Sequence, residues 1–286
     1  MSGCNVKNGL AKGKMFQVYV VKLVFRAAVF LLVLWAYFKA PEYFDIIVTE
    51  KIEIDWILSG RPLAELYAYL EGINHIWVYI VWGLIMIEMV IAMLPDSKFL
   101  TMGSKKEFPD YYVPVENCDR VELYKYVQKN NLGAMWTLII WMCFNAVFGA
   151  LYVLDLIAEK ELLLLCVFFY LADLICVVIW CPFQSFFLKN KCCVNCRIFN
   201  WGHFMMCTPL LFIRNFFTWS LFFMSLIVML RWEITLLKHP ERFWEGSNAT
   251  LKCANCQDKI CRLKGPKFMD RLTGCGGEPK QGGCAR

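Results

Sequence analysis

Apolar residues in this chain fall into long runs separated by polar stretches, and no sustained alternation marks strands. A run of about 20 apolar residues matches the thickness of a hydrocarbon core. Such runs predict membrane segments at about 19–38, 75–94, 134–154, 162–183 and 208–230. The expected fold is all-α: a polytopic helical membrane bundle of four to five segments. Residues 1–237 hold the transmembrane domain, and 238–286 form a small basic, Cys-rich tail with a metal-binding character.

The first and fifth segments leave the count open. Only Ala27 to Phe38 is uncharged in the first, and Lys22 and Arg26 share one helical face there. Both cations are expected to snorkel toward headgroups, with an interfacial helix as the alternative. The basic run at the N-terminus is not followed by a small-residue cleavage site, so the first segment is expected to be retained. The fifth contains Arg214, a costly residue deep in a span at roughly 2.5–3.5 kcal/mol.

Charge predicts sidedness. Five bases and no acid precede Ala27, which puts the N-terminus in the cytoplasm. Residues 39–74 carry seven acids against three bases and belong outside. The stretch 95–132 is then inside, with a short helix expected after its prolines. The tight link "DLIAEKE" is outside and makes an antiparallel hairpin of segments three and four. The tail has eleven bases and six acids from Arg231 onward, which favours the cytoplasm. One simple further crossing would put it outside. Either residues 204–237 dip in and return with a break near "RNFFTWS", or they cross fully. The charge favours the return.

Composition agrees: 59% of the residues are hydrophobic, 19% are charged, and mean hydropathy is +0.47. The net charge of +6 sits at membrane borders, so it points to lipid and orientation rather than nucleic acid. The expected setting is a cell membrane, with the lipid bilayer as partner. A protein partner or a second copy of the chain is compatible with it. No Walker loop, dinucleotide fingerprint, zincin motif, nucleophile elbow or haem-attachment motif occurs, so no enzyme class is indicated.

The fifteen cysteines carry the chemistry. Cys143, Cys166, Cys176 and Cys181 fall in or beside apolar runs and read as packing. "KNKCCVNCRIFNWGHFMM" offers Cys192, Cys193 and Cys196, and "LKCANCQDKIC" offers Cys253, Cys256 and Cys261. Each holds one C-x-x-C, Cys193 with Cys196 and Cys253 with Cys256. Two such knuckles supply four thiolates for structural zinc or a [4Fe–4S] cluster. Cys192 and Cys261 are competing ligands. His203 and His239 are further candidates, but ordinary interfacial histidines are the commoner case. Disulfides or redox thiols remain open, although no βαβ context for a thioredoxin-like dithiol is present. Asn248-Ala249-Thr250 matches a glycosylation sequon, a short pattern that often occurs by chance.

Glu88, Asp173 and Arg214 fall within apolar segments. Such groups usually face the bundle interior and pair. Arg214 is expected to pair with one of the acids; the alternative is a proton or ion path through Glu88 and Asp173. Asn145 is a further inward-facing residue.

"CCVNCRIFNWGHFMM" and "HPERFWEGSNATLKCANCQDKIC" resemble a family of uncharacterised integral membrane proteins from clostridial bacteria. The resemblance covers most of the chain. It implies a bacterial cytoplasmic membrane, where thiols are reduced on the inner face, and it implies no mechanism. Three functions stay open: a thiolate metal module in electron transfer or scaffolding, a small-solute or ion transporter with structural zinc, and a membrane thiol–disulfide oxidoreductase.

Overall fold

The computed structural model describes residues 14–40, 44, 76–95, 101–116, 118–190, 194–252 and 255. These form an all-helical bundle. The long elements are α1 (Lys14–Lys39), α2 (Ile76–Ala92), α4 (Arg120–Val153), α5 (Glu159–Val178) and α7 (Phe216–Lys238), with short helices α3 (Met102–Lys105) and α6 (Gly202–Cys207). Four helices are long and apolar enough to cross a membrane, and α2 is a shorter apolar helix. The chain is a multi-pass membrane protein.

The apolar pattern is turned outward where lipid would lie. On α1, Val21, Val24, Phe25, Leu31, Leu32, Trp35 and Phe38 are exposed at three- and four-residue spacings. Tyr19 and Arg26, seven residues apart, are buried on the opposite side. Arg26 therefore faces the protein interior instead of snorkelling outward.

The two ends of the bundle differ. At one end α4 and α5 form a tight hairpin, whose turn uses Asp155 at φ 55°. Glu161 stabilises the start of α5 by accepting from the Ala158 backbone N–H at 2.7 Å. Its other oxygen accepts from the Tyr37 hydroxyl at 2.6 Å, which places the end of α1 here. At the opposite end, residues 101–116, 194–200 and 239–252 gather into a polar cap.

The segment expected at 208–230 is two pieces. α6 continues through a 3-10 stretch, Thr208–Phe212, and the chain then turns at Ile213–Asn215. Asn215 is extended, and its side chain accepts from the Phe217 N–H at 3.1 Å, so it caps the N-terminus of α7. The Thr218 hydroxyl donates to the Ile213 carbonyl at 2.7 Å, satisfying the broken backbone. The two limbs lie antiparallel. Trp201 meets Glu233 near the cap, Phe204 packs on Phe222, and the Leu211 carbonyl accepts from Trp219 near the hairpin end. Residues 202–212 thus enter from the cap and α7 brings the chain back to it. Twenty-three residues give α7 a length of about 34 Å.

Two other expectations change. The short helix after the prolines is continuous with the third segment, giving a 34-residue α4 capped by Asp119. Arg214 is exposed in the turn before α7 and is not buried in a span.

Candidate functional site

Two polar constellations stand out, one within the apolar layer and one in the cap. In the first, Arg26 comes from α1 and is buried. Its Nη1 donates to Asp173 Oδ2 on α5 at 2.9 Å and to the Tyr170 carbonyl at 2.8 Å. Its Nη2 lies 3.5 Å from Glu88 Oε1 on α2. The guanidinium stacks 3.9 Å over the Tyr170 ring. One cation thus bridges two acids on two helices, where Arg214 was expected to pair with one of them. The cation beside Glu88 and Asp173 comes from the first segment, while Arg214 is exposed at the chain break.

His203 on α6 lies within electrostatic reach of Glu88, Asp173, Arg26 and Lys22. Beside it, Gly202 lets α6 approach α5 closely: a Cβ there would stand 2.5 Å from Asp173 Oδ1. Asn145 is buried on α4, and its side-chain amide donates to the Trp141 carbonyl at 2.9 Å.

The cap is held by charged side chains reaching between segments. Arg197 forms a double ion pair with Glu233, one contact at 2.6 Å, and its Nε donates to Asn131 at 3.0 Å. Trp201 donates to the same Glu233 at 2.7 Å. Trp232, wholly buried, donates to the Arg197 carbonyl at 2.9 Å and stands edge-on to Phe243. Glu107 faces Arg231 at 3.0 Å and Asn200 at 3.4 Å, while Arg242 donates to the Glu107 carbonyl. Burial pushes the Glu107 carboxyl above the usual carboxylate range, and Arg231 and Asn200 only partly offset it.

Cys196, the described cysteine of the first cluster, sits in this cap. Lys106, 1% exposed, donates to the carbonyls of Val194 and Cys196, each at 2.8 Å. It therefore grips the turn from Val194 to Cys196. Asn190 and Tyr126 reach the Asn195 carbonyl at 3.3 and 3.5 Å. The Asn195 amide donates to Glu245 at 2.8 Å. Glu245 belongs to the segment leading to the second cluster. That segment is pinned by Asn248, which lies opposite Pro114, and by the Thr250 hydroxyl, which donates to the Tyr111 carbonyl at 3.1 Å.

Cys196 is buried in the cap, whereas Cys192, Cys193, Cys253, Cys256 and Cys261 lie outside the described residues. Among the described residues, no three His, Cys, Asp or Glu side chains converge as a metal set. His239 pairs with Glu241 at 3.2 Å.

Sequence reasoning did not single out Lys106, Arg197, Glu107, Arg231 or Glu233. Their signal is that charged residues sit directly beside large apolar ones in "SKKEF", "CRIFNW" and "LRWEI" at segment borders. That pattern also fits plain interfacial anchoring, so it does not specify a network. No family model, curated protein or solved structure matches the chain.

Proposed function

We propose that the chain is a membrane-anchored thiolate metal module. Cys193 and Cys196 join Cys253 and Cys256 in one four-thiolate site, with Cys192 and Cys261 as alternates. The metal is zinc or a [4Fe–4S] cluster, the two centres that four cysteines suit. The observation that carries this reading is the Asn195–Glu245 hydrogen bond at 2.8 Å. It ties the loop of the first knuckle to the segment that ends at the second. Lys106 supports it, since a cation beside the turn favours thiolates there.

In this reading the N-terminus, the cap and both clusters face the cytoplasm, which the basic N-terminus favours. The bacterial membrane setting implied by the motifs then keeps the thiols reduced.

Anaerobically purified protein should contain about one zinc or one four-iron cluster per chain. Cys193→Ser and Cys253→Ser should each remove it. Loss on Cys193→Ser together with full retention on Cys253→Ser would refute the shared site.

A second reading rests on the Arg26 bridge to Glu88 and Asp173. Ionisable groups within apolar segments line solute or proton paths in transporters. Glu88→Gln and Asp173→Asn should then abolish flux in proteoliposomes, and unchanged flux in both would remove the reading.

A further inference from the structure

Between α3 and the segment that follows α7, the cap holds a half-open cavity of about 240 Å³. Lys105, Tyr111, Val113, Ala249, Thr250 and Asn255 line it, with Lys106 beside them. Two stretches far apart in the sequence form the walls, and hydrogen bonds fix them to each other. The Ala249 N–H donates to the Val113 carbonyl at 2.8 Å, and the Thr250 hydroxyl donates to the Tyr111 carbonyl at 3.1 Å. The Asn255 side-chain amide donates to the Ala249 carbonyl at 2.8 Å. Much of the polar surface around the cavity is thus spent on itself, and the walls are pre-formed, as in small-molecule sites.

The charge that remains is positive. Lys106 is buried, and its ammonium donates to the Val194 and Cys196 carbonyls. Lys105 is half-buried, with its ammonium 4.9 Å from the centre of the Tyr111 ring. No described carboxylate forms an ion pair with Lys105. Glu107, its nearest acid in the chain, turns instead to Arg231 and Asn200. Among the described residues, no acid lines the cavity.

These features select a ligand class. A cation would be repelled, and a neutral molecule would strip water from the Lys105 ammonium without replacing it by an anion. A phosphate group presents three strong acceptor oxygens and calls for several N–H donors. This cavity offers one ammonium without an acidic partner, and its walls are mostly apolar. A carboxylate needs fewer donors, and the Tyr111 ring, Val113 and Ala249 suit an apolar body. The volume equals about eight water molecules, room for a single small ring. We infer that the cavity binds a small organic carboxylate with an aromatic or branched apolar body, its charge on Lys105 and its body against Tyr111. The site does not depend on a metal in the cap.

The test titrates benzoate into the purified full chain in detergent, followed by calorimetry. Benzamide serves as the neutral match and inorganic phosphate as the second anion. The expected result is saturable benzoate binding at a single site per chain, no binding of benzamide, and weaker binding of phosphate. Lys105→Gln should weaken benzoate binding by about tenfold or more, the scale of one charge-assisted hydrogen bond, and Lys105→Arg should keep it. Val113→Trp changes an exposed wall position and should block the cavity while the chain stays folded. Absence of saturable benzoate binding, equal binding of benzamide, tighter binding of phosphate, or unchanged affinity in both Lys105→Gln and Val113→Trp would overturn the inference. None of these readouts depends on whether the cap holds zinc or iron.

Discussion

Arg26 of α1 and Asp173 of α5 meet at 2.9 Å within the apolar layer, although 147 residues separate them in the chain. The same guanidinium faces Glu88, so α1, α2 and α5 share one electrostatic junction. Removing the cation leaves two acids without compensation. Glu88 and Asp173 are 39% and 34% exposed, so Arg26→Met should destabilise the protein by about 1–3 kcal/mol, less than breaking a fully buried pair. Adding Glu88→Gln and Asp173→Asn should restore most of that loss. Thermal unfolding in detergent, monitored by size exclusion, would show it.

The junction also depends on a residue with no side chain. Gly202→Ala would set a Cβ 2.5 Å from Asp173 Oδ1, so α6 or the carboxylate must move. The expected cost is about 1–3 kcal/mol, as for overpacking. Asp173→Ala should relieve it, and the two changes together should be strongly non-additive in a double-mutant cycle. Additive losses would place the strain elsewhere.

Lys106 tests the link between cap and knuckle. Lys106→Met keeps an apolar stem over Trp232 and Phe243 but leaves the Val194 and Cys196 carbonyls without their charged donor. Hydrogen bonds to a charged group contribute roughly 1.5–3 kcal/mol. The variant should insert in membranes normally and retain less metal than the natural chain. Metal content per chain, measured after the same chelator wash, checks this.

Glu107 gives the cap a pH dependence. Its carboxyl is held above the ordinary range by burial, so the folded protein binds that proton more tightly than the unfolded one. Stability from this group is therefore greatest in acid. It declines as pH rises from the ordinary carboxylate value through the raised one, then levels off. Glu107→Gln should lack that decline. Melting temperatures of both proteins across pH 4–8, about the relevant window, would test it. Parallel curves would exclude Glu107 as the source.

The break before α7 was partly legible in the sequence. An Asn inside an apolar run is a helix-start signal, and Asn215 caps α7 through the Phe217 N–H. Hydropathy alone gives one run from 208 to 230, because it records apolarity and not direction, and only the charge of the tail favoured a return with a break near "RNFFTWS". Arg26 was misplaced for a related reason. Its spacing from Lys22 gives a shared helical face, but which face meets protein depends on how α1 packs against α5.

By itself, the chain's pattern determined the helical class, the membrane character, the hairpin link and the two C-x-x-C pairs, because run length and local spacing are properties of contiguous residues. Tertiary structure decided what could meet. It turned residues 202–212 back beside α7, put Arg26 rather than Arg214 between Glu88 and Asp173, and brought the Asn195 loop to Glu245. Those pairings join residues 50 to 147 positions apart or cross a chain reversal, and no local preference encodes them.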